Sequence, residues 1–428
     1  MSVSYTVKSG DTLGAISIKY LGLWDKWRKI EEANPQLIGR ETAVDGSPLI
    51  FPGDVLIIPV DDKKNKGTIK NEKSTKVLDK KGDKEFSLLL NGIEFLGFTA
   101  FKLILNDDAP DAFSLSAPFD PKEEVFKKSF APLTFMDCIL YYKKKIIFKG
   151  KLSVTSPKIE ADSRTIDLQG NASYGILSCA IPDSKFPPSY AGLKLSEIAA
   201  DAATPFGISV SMEGDEGEAL EKVSYDVGEK ILDFLSKLAK QKGLIITNTP
   251  MGNLKFWNNK PGKSCGTFIE GEYRFISCTA SFSESDFYSH ITGYTKVNEK
   301  KGKAPQKYTF ENKYLTKRGV LKPFAYTVED SEKDDLETAV KAKAAAMLCA
   351  CVSYELTVLG VTDKNGNLFK KGCCVIVKAP SAQIYSEFKF QAKSIEINRD
   401  DTNGLTTKLK LVLPGLRNNQ IPVKWPWE

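Results

Sequence analysis

Few residues in this sequence could support nucleophilic or acid–base catalysis. The chain has 428 residues but only one histidine, His290. Zinc hydrolases use two or three imidazole ligands, and cysteine peptidases need a histidine to generate the thiolate. His290 lies in a strand-like run, Tyr-Ser-His-Ile-Thr, where a half-buried, hydrogen-bonded side chain is expected. The sequence therefore predicts neither catalytic residues nor a zinc hydrolase.

A pair of carboxylates is the remaining catalytic option. Glycosidases place two acids on either side of the scissile bond, and one of these acids has a raised pKa. Glu284 and Asp286 are candidates, because residues two apart on a strand share one face. With 54 acidic residues in the chain, such pairs also arise by chance. The glycine loops that bind nucleotide phosphates are absent from the sequence. We predict no enzyme and no cofactor, and a peptidoglycan hydrolase stays the alternative.

The eight cysteines contain no C-x-x-C pair. Cys349, Cys351 and the adjacent Cys373 and Cys374 are interpreted as small buried apolar residues of a reduced chain, and no metal site is predicted. The N-terminus has no basic stretch followed by an apolar one, and no run of eighteen or more apolar residues occurs. We expect synthesis in the bacterial cytoplasm and no membrane insertion.

The net charge of +6 is concentrated in one segment. Nine lysines and only three acidic residues lie between Lys63 and Lys84, so this segment carries the whole excess. Proteins that bind nucleic acid spread basic residues over a folded face, whereas a Lys-rich segment poor in apolar residues is typical of a solvated linker. Residues 61–84 are predicted to be a flexible basic linker, and no sequence-specific binding of nucleic acid is expected.

The linker separates a small N-terminal module, residues 1–60, in which the pattern predicts strand, helix, helix and strand. The module resembles a LysM domain across its whole length. The residues that carry the resemblance are Tyr5-Thr6-Val7, Gly10-Asp11-Thr12-Leu13, Ile30, Asn34-Pro35, Pro52-Gly53, Leu56 and Ile58-Pro59.

LysM domains bind polymers of N-acetylglucosamine in a shallow groove. The resemblance implies that the groove consists of Gly10, Asp11, Thr12, Leu13, Asn34, Pro35, Gln36, Leu37 and Ile38. The following segment, residues 39–50, is longer than is common in the family and could cover or rebuild that groove. Both a sugar-binding module and a protein–protein joint are therefore considered, with peptidoglycan as a candidate ligand.

Beyond the linker the sequence predicts an α+β fold that is mainly β. Residues 85–179 contain short strand-like runs broken by turn signals, a pattern typical of a barrel or sandwich. Residues 180–275 are predicted to be an α+β middle domain, residues 276–351 strands and a long helix, and residues 352–428 a second β domain with an exposed C-terminal tail. The predicted helices are residues 194–203, 229–242 and 333–351, the second ending at Gly243.

The order of these pieces resembles the baseplate hub proteins of contractile-tailed phages, the Mu-like tail hub and late control protein D group. The resemblance covers roughly residues 85–414. It is carried by Ile231-Leu232-Asp233-Phe234-Leu235, Gly243-Leu244-Ile245-Ile246, the segment from Ser283 to Gly293, Gly366-Asn367 and Lys371-Gly372.

In that family two β-barrels similar to the tail-tube subunit let a trimer imitate a six-fold ring, which joins the hexameric tube to a trimeric spike. The resemblance implies two tube-like barrels here, at about residues 85–179 and 352–414. It also implies a homotrimer whose partners are the tail tube protein, the spike protein and baseplate wedge proteins, within a phage or phage-like particle. A cell-wall-binding protein is the alternative.

Overall fold

The structure is a computed structural model. It describes residues 2–7, 11–21, 26–40, 48–59, 85–90, 93–95, 100–120, 122, 130–161, 163–180, 189–295, 306–328, 333–400, 404–422 and 424–428. The linker predicted over residues 61–84 lies outside these ranges, as does Gly10 of the predicted groove. Contacts divide the chain into two compact units, residues 1–73 and 74–428.

The N-terminal unit has the predicted order of strand, helix, helix and strand. Its elements are β1 (Ser2–Thr6), α1 (Leu13–Leu21), α2 (Trp27–Glu32), a 3₁₀ turn (Pro35–Leu37) and β2 (Val55–Pro59). The two strands pair antiparallel, with Tyr5 opposite Leu56. The core has its own apolar side chains, among them Leu13, Ile16, Trp27, Ile30, Leu37, Leu56 and Ile58.

The first β half of the large unit is a run of β-strands, seven of them within the described residues, as the sequence predicts for residues 85–179. They are β3 (Phe86–Leu90), β4 (Ile93–Phe95), β5 (Ala100–Asn106), β6 (Ala112–Pro118), β7 (Asp137–Tyr142), β8 (Lys145–Ile159) and β9 (Arg164–Ala172). Alternate residues of β5 and β6 are buried, as expected where one face covers a core. The sheet curls, because Phe86 of β3 and Phe101 of β5 lie far apart in strand order yet their ring centroids are 5.0 Å apart.

The second β half is assembled from segments distant in sequence. Its strands are β15 (Ser264–Ile269), β16 (Phe275–Phe282), β20 (Val352–Leu359), β21 (Cys374–Ala379), β22 (Ile384–Asp400) and β23 (Gly404–Val412). β15 pairs with β21 and β16 pairs with β20. Two strands from before the long helix therefore complete a sheet whose other strands come after it.

The two halves are joined in one 13-stranded sheet. β22 is long enough to pair with β21 through its first part and with β23 through its second. Its second part also pairs antiparallel with β5 of the first half, from Ser394 opposite Asn106 to Arg399 opposite Phe101. The two β regions expected from the sequence thus share backbone hydrogen bonds within one chain.

Between them lies the α+β region. It comprises β10 (Ser189–Leu193), α3 (Leu195–Ala203), β11 (Val210–Glu213), β12 (Leu220–Ser224), α4 (Ile231–Gln241), β13 (Ile245–Asn248) and β14 (Leu254–Trp257). Gly243 follows α4 at φ +67°, as predicted for the residue that ends this helix. β13 and β14 pair antiparallel.

A three-stranded sheet packs under the last helix. β17 (His290–Thr295) lies between β18 (Lys307–Glu311) and β19 (Pro323–Val328), followed by α6 (Lys333–Cys351); a short helix, α5 (Lys313–Thr316), precedes β19. A Cβ at Gly293 of β17 would lie 2.5 Å from Cγ2 of Val340. This glycine therefore permits the close approach of α6 to the sheet.

The C-terminal tail is not exposed as predicted, because its tryptophans pack against the body. Trp425 is 6% exposed and its ring lies 4.6 Å from that of Tyr314 in α5. Trp427 donates a hydrogen bond from Nε1 to Tyr314 Oη at 3.2 Å. Aromatic stacking, which the sequence pattern did not reveal, fixes the tail.

The predicted fold class, α+β and mainly β with a small βααβ module and an α+β insertion, is confirmed. None of the helices within the described ranges is both long and apolar enough to cross a lipid bilayer.

Candidate functional site: docking surfaces and a buried polar seam

The residues predicted to line the N-terminal groove divide into two classes. Leu13 and Leu37 are almost fully buried and belong to the core, so their side chains cannot reach a ligand. Thr12, Pro35, Gln36 and Ile38 are exposed and Asp11 is half-buried. Ile38 presents the largest apolar surface of the set, with 70% of the side chain exposed.

Asn34 is buried and fully engaged by the backbone. Its Nδ2 donates to Ile30 O and to Ile57 O, both at 2.6 Å, and its Oδ1 accepts from Ile57 N at 2.7 Å. The side-chain amide therefore stands in for a neighbouring strand along the edge of β2. These contacts stabilise β2, and the assignment of Asn34 to the sugar groove stays a prediction.

Asp11 and Gln36 also make contacts within the module. Tyr5 Oη donates to Asp11 Oδ2 at 2.7 Å, and this hydrogen bond raises the pKa of Tyr5. Gln36 Nε2 donates to Asn34 Oδ1 at 3.1 Å. Asp11 and Gln36 are thus each hydrogen-bonded within the module, to different partners.

An ion pair between Arg40 and Asp54 stabilises a turn of the N-terminal module. Arg40 contacts Asp54 through Nη1 at 2.5 Å and Nη2 at 3.3 Å, and Asp54 also accepts from Phe51 N. The Arg40 hydrogen bond lowers the pKa of Asp54. The Arg40 guanidinium lies 5.6 Å from the centre of the Phe51 ring, which is itself exposed.

The outer face of the β2 strand is apolar and open. Val55 and Ile57 alternate with the buried Leu56 and Ile58, and about half of each outward residue is exposed. Ser4 and Thr6 of β1 lie opposite Ile57 and Val55, and Ile38 and Phe51 add exposed apolar surface elsewhere on the module. We name the exposed side chains of Ile38, Phe51, Val55 and Ile57 the apolar face.

The large unit contains a buried polar seam that the sequence did not predict. Arg417 Nε lies 2.8 Å from Asp107 Oδ2 and Nη2 lies 2.9 Å from Oδ1. Asn259 Nδ2 donates to the same carboxylate at 2.9 Å, and Gln391 Nε2 donates to Asn259 Oδ1 at 3.0 Å. One cluster of side chains therefore joins four parts of the large unit: the first β half, the segment after β14, β22 and the C-terminal segment.

A second ion pair extends the seam. Lys371 Nζ lies 2.7 Å from Asp111 Oδ1, and Asp111 Oδ2 accepts from Asn248 Nδ2 at 2.8 Å. Burial raises the pKa of Asp111 and lowers the pKa of Lys371. The sequence analysis did not identify Asn106-Asp107-Asp108 as part of the seam, because this tripeptide has the composition of an ordinary turn. A contact between residues 310 positions apart leaves no local pattern.

The catalytic candidates do not form an active site. Glu284 and Asp286 are exposed in a turn after β16, not on a strand face as the spacing would allow. His290 is half-buried, and its Nδ1 lies 3.0 Å from Ser289 Oγ, as expected for a structural histidine. Within the described ranges, no three His, Cys, Asp or Glu side chains converge to hold a metal ion.

Among the strand edges of the large sheet that lack partners within the described residues are those of β8 and β16. β7 pairs with β8 only as far as Lys151, whereas β9 pairs with β8 as far as Ile159. The second edge belongs to β16, which pairs with β20 alone. At the start of β7, Leu133 and Phe135 adopt positive φ angles and are exposed, Leu133 by 94%. Apolar surface therefore lies beside the open edge of β8.

Two segments match known domain families. Residues 5–59 match the LysM domain family. Residues 175–258 match the family described as the second domain of gp44-like baseplate hub proteins. No curated protein sequence matches this chain significantly.

Solved structures share the fold. The 43 kDa tail protein of prophage MuSo2 from Shewanella oneidensis aligns with a TM-score of 0.66 at 20% identity, covering 78% of this chain and 99% of that one. A tail protein from Neisseria meningitidis gives 0.65 at 17% identity, covering 78% and 98%. Prophage tail protein gp18 from Listeria monocytogenes gives 0.50 at 13% identity, covering 76% and 94%. The chain has the fold of these tail proteins and contains a LysM domain and a baseplate-hub domain.

Proposed function

We propose that this chain is the baseplate hub of a phage-like contractile tail. In this proposal it is a homotrimer that joins the hexameric tail tube to the trimeric spike and contacts wedge proteins. Synthesis takes place in the bacterial cytoplasm, and the chain is then built into the particle. Its role is mechanical: it matches two symmetries and uses no cofactor.

The observation that carries the proposal is the pairing of β5 with β22. It joins two curved β halves of one chain into a single sheet. Three such chains would present six β halves to a six-fold neighbour. A single-domain subunit could not bridge a hexamer and a trimer in this way.

The unpaired strand edges of the large sheet are the proposed contacts between subunits. An unpaired edge is a template for pairing with another chain unless it is blocked or covered. Within the described ranges, the edge of β8 beyond Leu152 and the edge of β16 are unpaired at two separate places in the sheet. A head-to-tail contact between two different surfaces closes into a ring when the rotation permits.

The N-terminal module is proposed to act as a docking clip. The apolar face is typical of a surface that contacts protein, because it combines aliphatic side chains with the Phe51 ring. Asn34, which the family resemblance placed in a sugar groove, is occupied by backbone contacts instead. Peptidoglycan is the competing ligand for this module.

No enzymatic role is proposed. The exposed positions of Glu284 and Asp286 place neither carboxyl in the apolar pocket that a general acid of a glycosidase occupies. His290 is hydrogen-bonded to Ser289, which in turn accepts from Lys322 N at 2.8 Å. These contacts fit a structural role at the start of β17.

Mass photometry of the purified chain tests the trimer. We expect a trimer that is lost when Val154→Lys and Ile159→Lys place charges along the open edge of β8. Both side chains are exposed, so the fold should survive. Val227→Lys, at another exposed valine away from that edge, is the matched control and should leave the trimer intact. A dimer or tetramer in the unaltered chain would contradict the hub assignment.

Co-sedimentation of the full chain with purified sacculi, and separately with assembled baseplates, tests the clip. We expect retention on baseplates that is reduced by Ile57→Lys on the apolar face. Asp11→Ala and its partner variant Tyr5→Phe, which both break the Tyr5–Asp11 hydrogen bond, should alter baseplate retention much less. Strong binding to sacculi that Asp11→Ala abolishes, with no retention on baseplates, would favour the wall-binding alternative.

A further inference from the structure

A lysine, an asparagine and an aspartate from three parts of the large unit meet in the buried polar seam. Lys371 lies between β20 and β21, Asn248 ends β13, and Asp111 directly precedes β6. Lys371 Nζ lies 3.1 Å from Asn248 Oδ1 and 2.7 Å from Asp111 Oδ1. Asn248 Nδ2 donates to Asp111 Oδ2 at 2.8 Å. One carboxyl group therefore contacts both an amine and an amide that touch each other.

The amide of Asn248 receives more contacts than a buried ion pair requires. An ion pair needs only the contact between Lys371 and Asp111. Here Asn248 Oδ1 accepts from Asp111 N at 3.1 Å as well as from Lys371 Nζ. Two donors on one carbonyl oxygen polarise the carbonyl group, and a fixed backbone N–H stabilises negative charge that develops on such an oxygen. The arrangement therefore activates the carbonyl carbon, Cγ of Asn248, towards a nucleophile.

Backbone and side-chain contacts fix the three groups. Asp111 Oδ1 accepts from Asn106 N at 2.8 Å, and Asn248 lies in a strand paired with β14. Lys371 Nζ also donates to Thr247 Oγ1 at 2.9 Å. Because Oδ1 of Asn248 is bonded to Cγ, these contacts keep the amine next to the carbonyl carbon. Reacting groups held in this way no longer lose translational and rotational freedom when they react.

The surroundings of the three groups largely exclude water. Asp111 is 1% exposed, Asn248 is 4% exposed, and the side chain of Lys371 is 14% exposed. Burial raises the pKa of Asp111 and lowers the pKa of Lys371, although the attraction between their charges opposes both shifts. Burial therefore favours a neutral amine beside a protonated carboxyl group. A desolvated, neutral lysine is a nucleophile, and a protonated carboxyl is a general acid.

We propose that Lys371 and Asn248 react with each other to form an intramolecular isopeptide bond, and that Asp111 transfers the protons. Nζ of the neutral lysine attacks Cγ of Asn248. Asp111 gives its proton to Nδ2 and takes one from Nζ, and the Cγ–Nδ2 bond breaks. The new Cγ–Nζ amide bond forms, one ammonia molecule leaves, and Asp111 is protonated as it was at the start. One amide replaces another, so the reaction consumes neither an oxidant nor a second substrate.

The bond joins the middle α+β region covalently to the second β half. The two residues lie 123 positions apart in the sequence, so the cross-link closes a long loop. A cross-link over a long loop restricts the unfolded chain, which stabilises the folded state. Unlike a disulfide, an amide bond is not broken by a reducing medium. This inference is independent of the hub assignment.

Intact mass spectrometry of the denatured full chain tests the proposal. We expect a mass lower than that of the sequence by one ammonia molecule. A tryptic digest should contain one branched peptide that joins residues 243–255 to residues 371–378, because trypsin does not cleave after an acylated lysine. A succinimide at Asn91-Gly92 or Asn365-Gly366 loses the same ammonia but joins no second peptide. A chain that keeps its full mass after prolonged incubation, or a link at other residues, would overturn the proposal.

Single variants separate the nucleophile from the proton-transferring group. Lys371→Arg lacks the amine, and Asp111→Asn keeps the shape of the side chain but lacks the acid, so both variants should keep their full mass. Lys389→Arg makes the same change at an exposed lysine of β22 and is the matched control, which should still give the branched peptide. If a variant does not fold, the digest of the unaltered chain decides. A link formed to the same extent in Asp111→Asn would contradict the role of Asp111.

Discussion

Arg417 and Asp107 form a two-point ion pair across 310 residues of sequence, with Nε 2.8 Å from Oδ2 and Nη2 2.9 Å from Oδ1. Arg417 also contacts Asp108 at 3.0 Å. The paired side chains of Arg417 and Asp107 are at most 10% exposed. Because Asn259 donates to the same carboxylate, this contact ties the C-terminal segment to both the first β half and the middle region.

Breaking this pair should strongly destabilise the large unit. Arg417→Met leaves the Asp107 carboxylate buried without its cation, and losing one partner of a buried pair costs about 3–5 kcal/mol. We expect a clear fall in the urea midpoint followed by tryptophan fluorescence. Lys341→Met, in the exposed Lys341–Glu337 pair, is the control and should cost less than about 0.5 kcal/mol. Equal effects at the two sites would contradict the structural role of the seam.

The titration of Asp107 in the seam should also make the free energy of unfolding depend on pH. Burial raises the pKa of Asp107 to about 6, although Arg417 and Lys393 oppose the shift and Asp108 adds to it. A carboxyl whose pKa is higher in the folded state takes up a proton on folding between its two pKa values. The Asp107 contribution should therefore lower the free energy of unfolding as pH rises from about 4 to 6.

Asp107→Asn removes that titration, so it should flatten this part of the profile. Urea midpoints at pH 4, 5, 6 and 7 for both proteins measure the difference. Asp111, whose pKa burial also raises, is retained in the variant and supplies the remaining slope. A larger fall in the stability of Asp107→Asn than of the unaltered chain over this pH range would contradict the expected sign.

Local patterns in the sequence were sufficient to predict most elements, and the structure shows where they fail. The helix over 333–351 and the run of strands from β5 to β9 follow from periodicity and turn residues. The β5–β22 pairing joins residues nearly 300 positions apart and has no local signature. The burial of Trp425 also has no local signature, because it depends on the rings of Phe287 and Tyr314, which are distant in the sequence.

Less of the candidate site than of the fold follows from the sequence. The LysM resemblance correctly identified the βααβ module, and its assignment of Asn34 to the groove stays a prediction. The contacts of Asn34 with Ile57 become visible only when α2 and β2 are packed. The seam depends on side chains from four separate segments, so no spacing rule could have found it.

Two glycines between β20 and β21, of which only Gly372 lies against the seam, should respond differently to the same substitution. At Gly372, with φ +71°, an added Cβ would lie 2.6 Å from Asn259 Oδ1 and 3.1 Å from the Trp257 ring. At Gly366, with φ +75°, no atom lies within 4 Å. Gly366→Ala should cost about 1 kcal/mol for backbone strain alone, whereas Gly372→Ala adds about 1–3 kcal/mol of overpacking. Urea unfolding measures both, and equal losses would contradict a close contact at Gly372.

Asn34 should act as a structural residue of the N-terminal module. Its amide satisfies both backbone groups of Ile57, so Asn34→Ala leaves buried polar groups unpaired at about 1–3 kcal/mol each. Asn34→Asp keeps the acceptor but loses both donated bonds, and it should destabilise as well. Gln36→Ala, at an exposed neighbour, is the control and should have little effect.

Hydrogen exchange of the full chain, read at the backbone amides of residues 55–58, measures these changes. We expect faster exchange in both Asn34 variants and unchanged exchange in Gln36→Ala, because the Asn34 side chain replaces a third strand along the edge of β2. A ligand-binding asparagine would behave in the opposite way, since its removal would weaken binding to peptidoglycan without loosening β2. Unaltered protection in Asn34→Ala, together with lost sacculus binding, would therefore return this residue to the sugar groove.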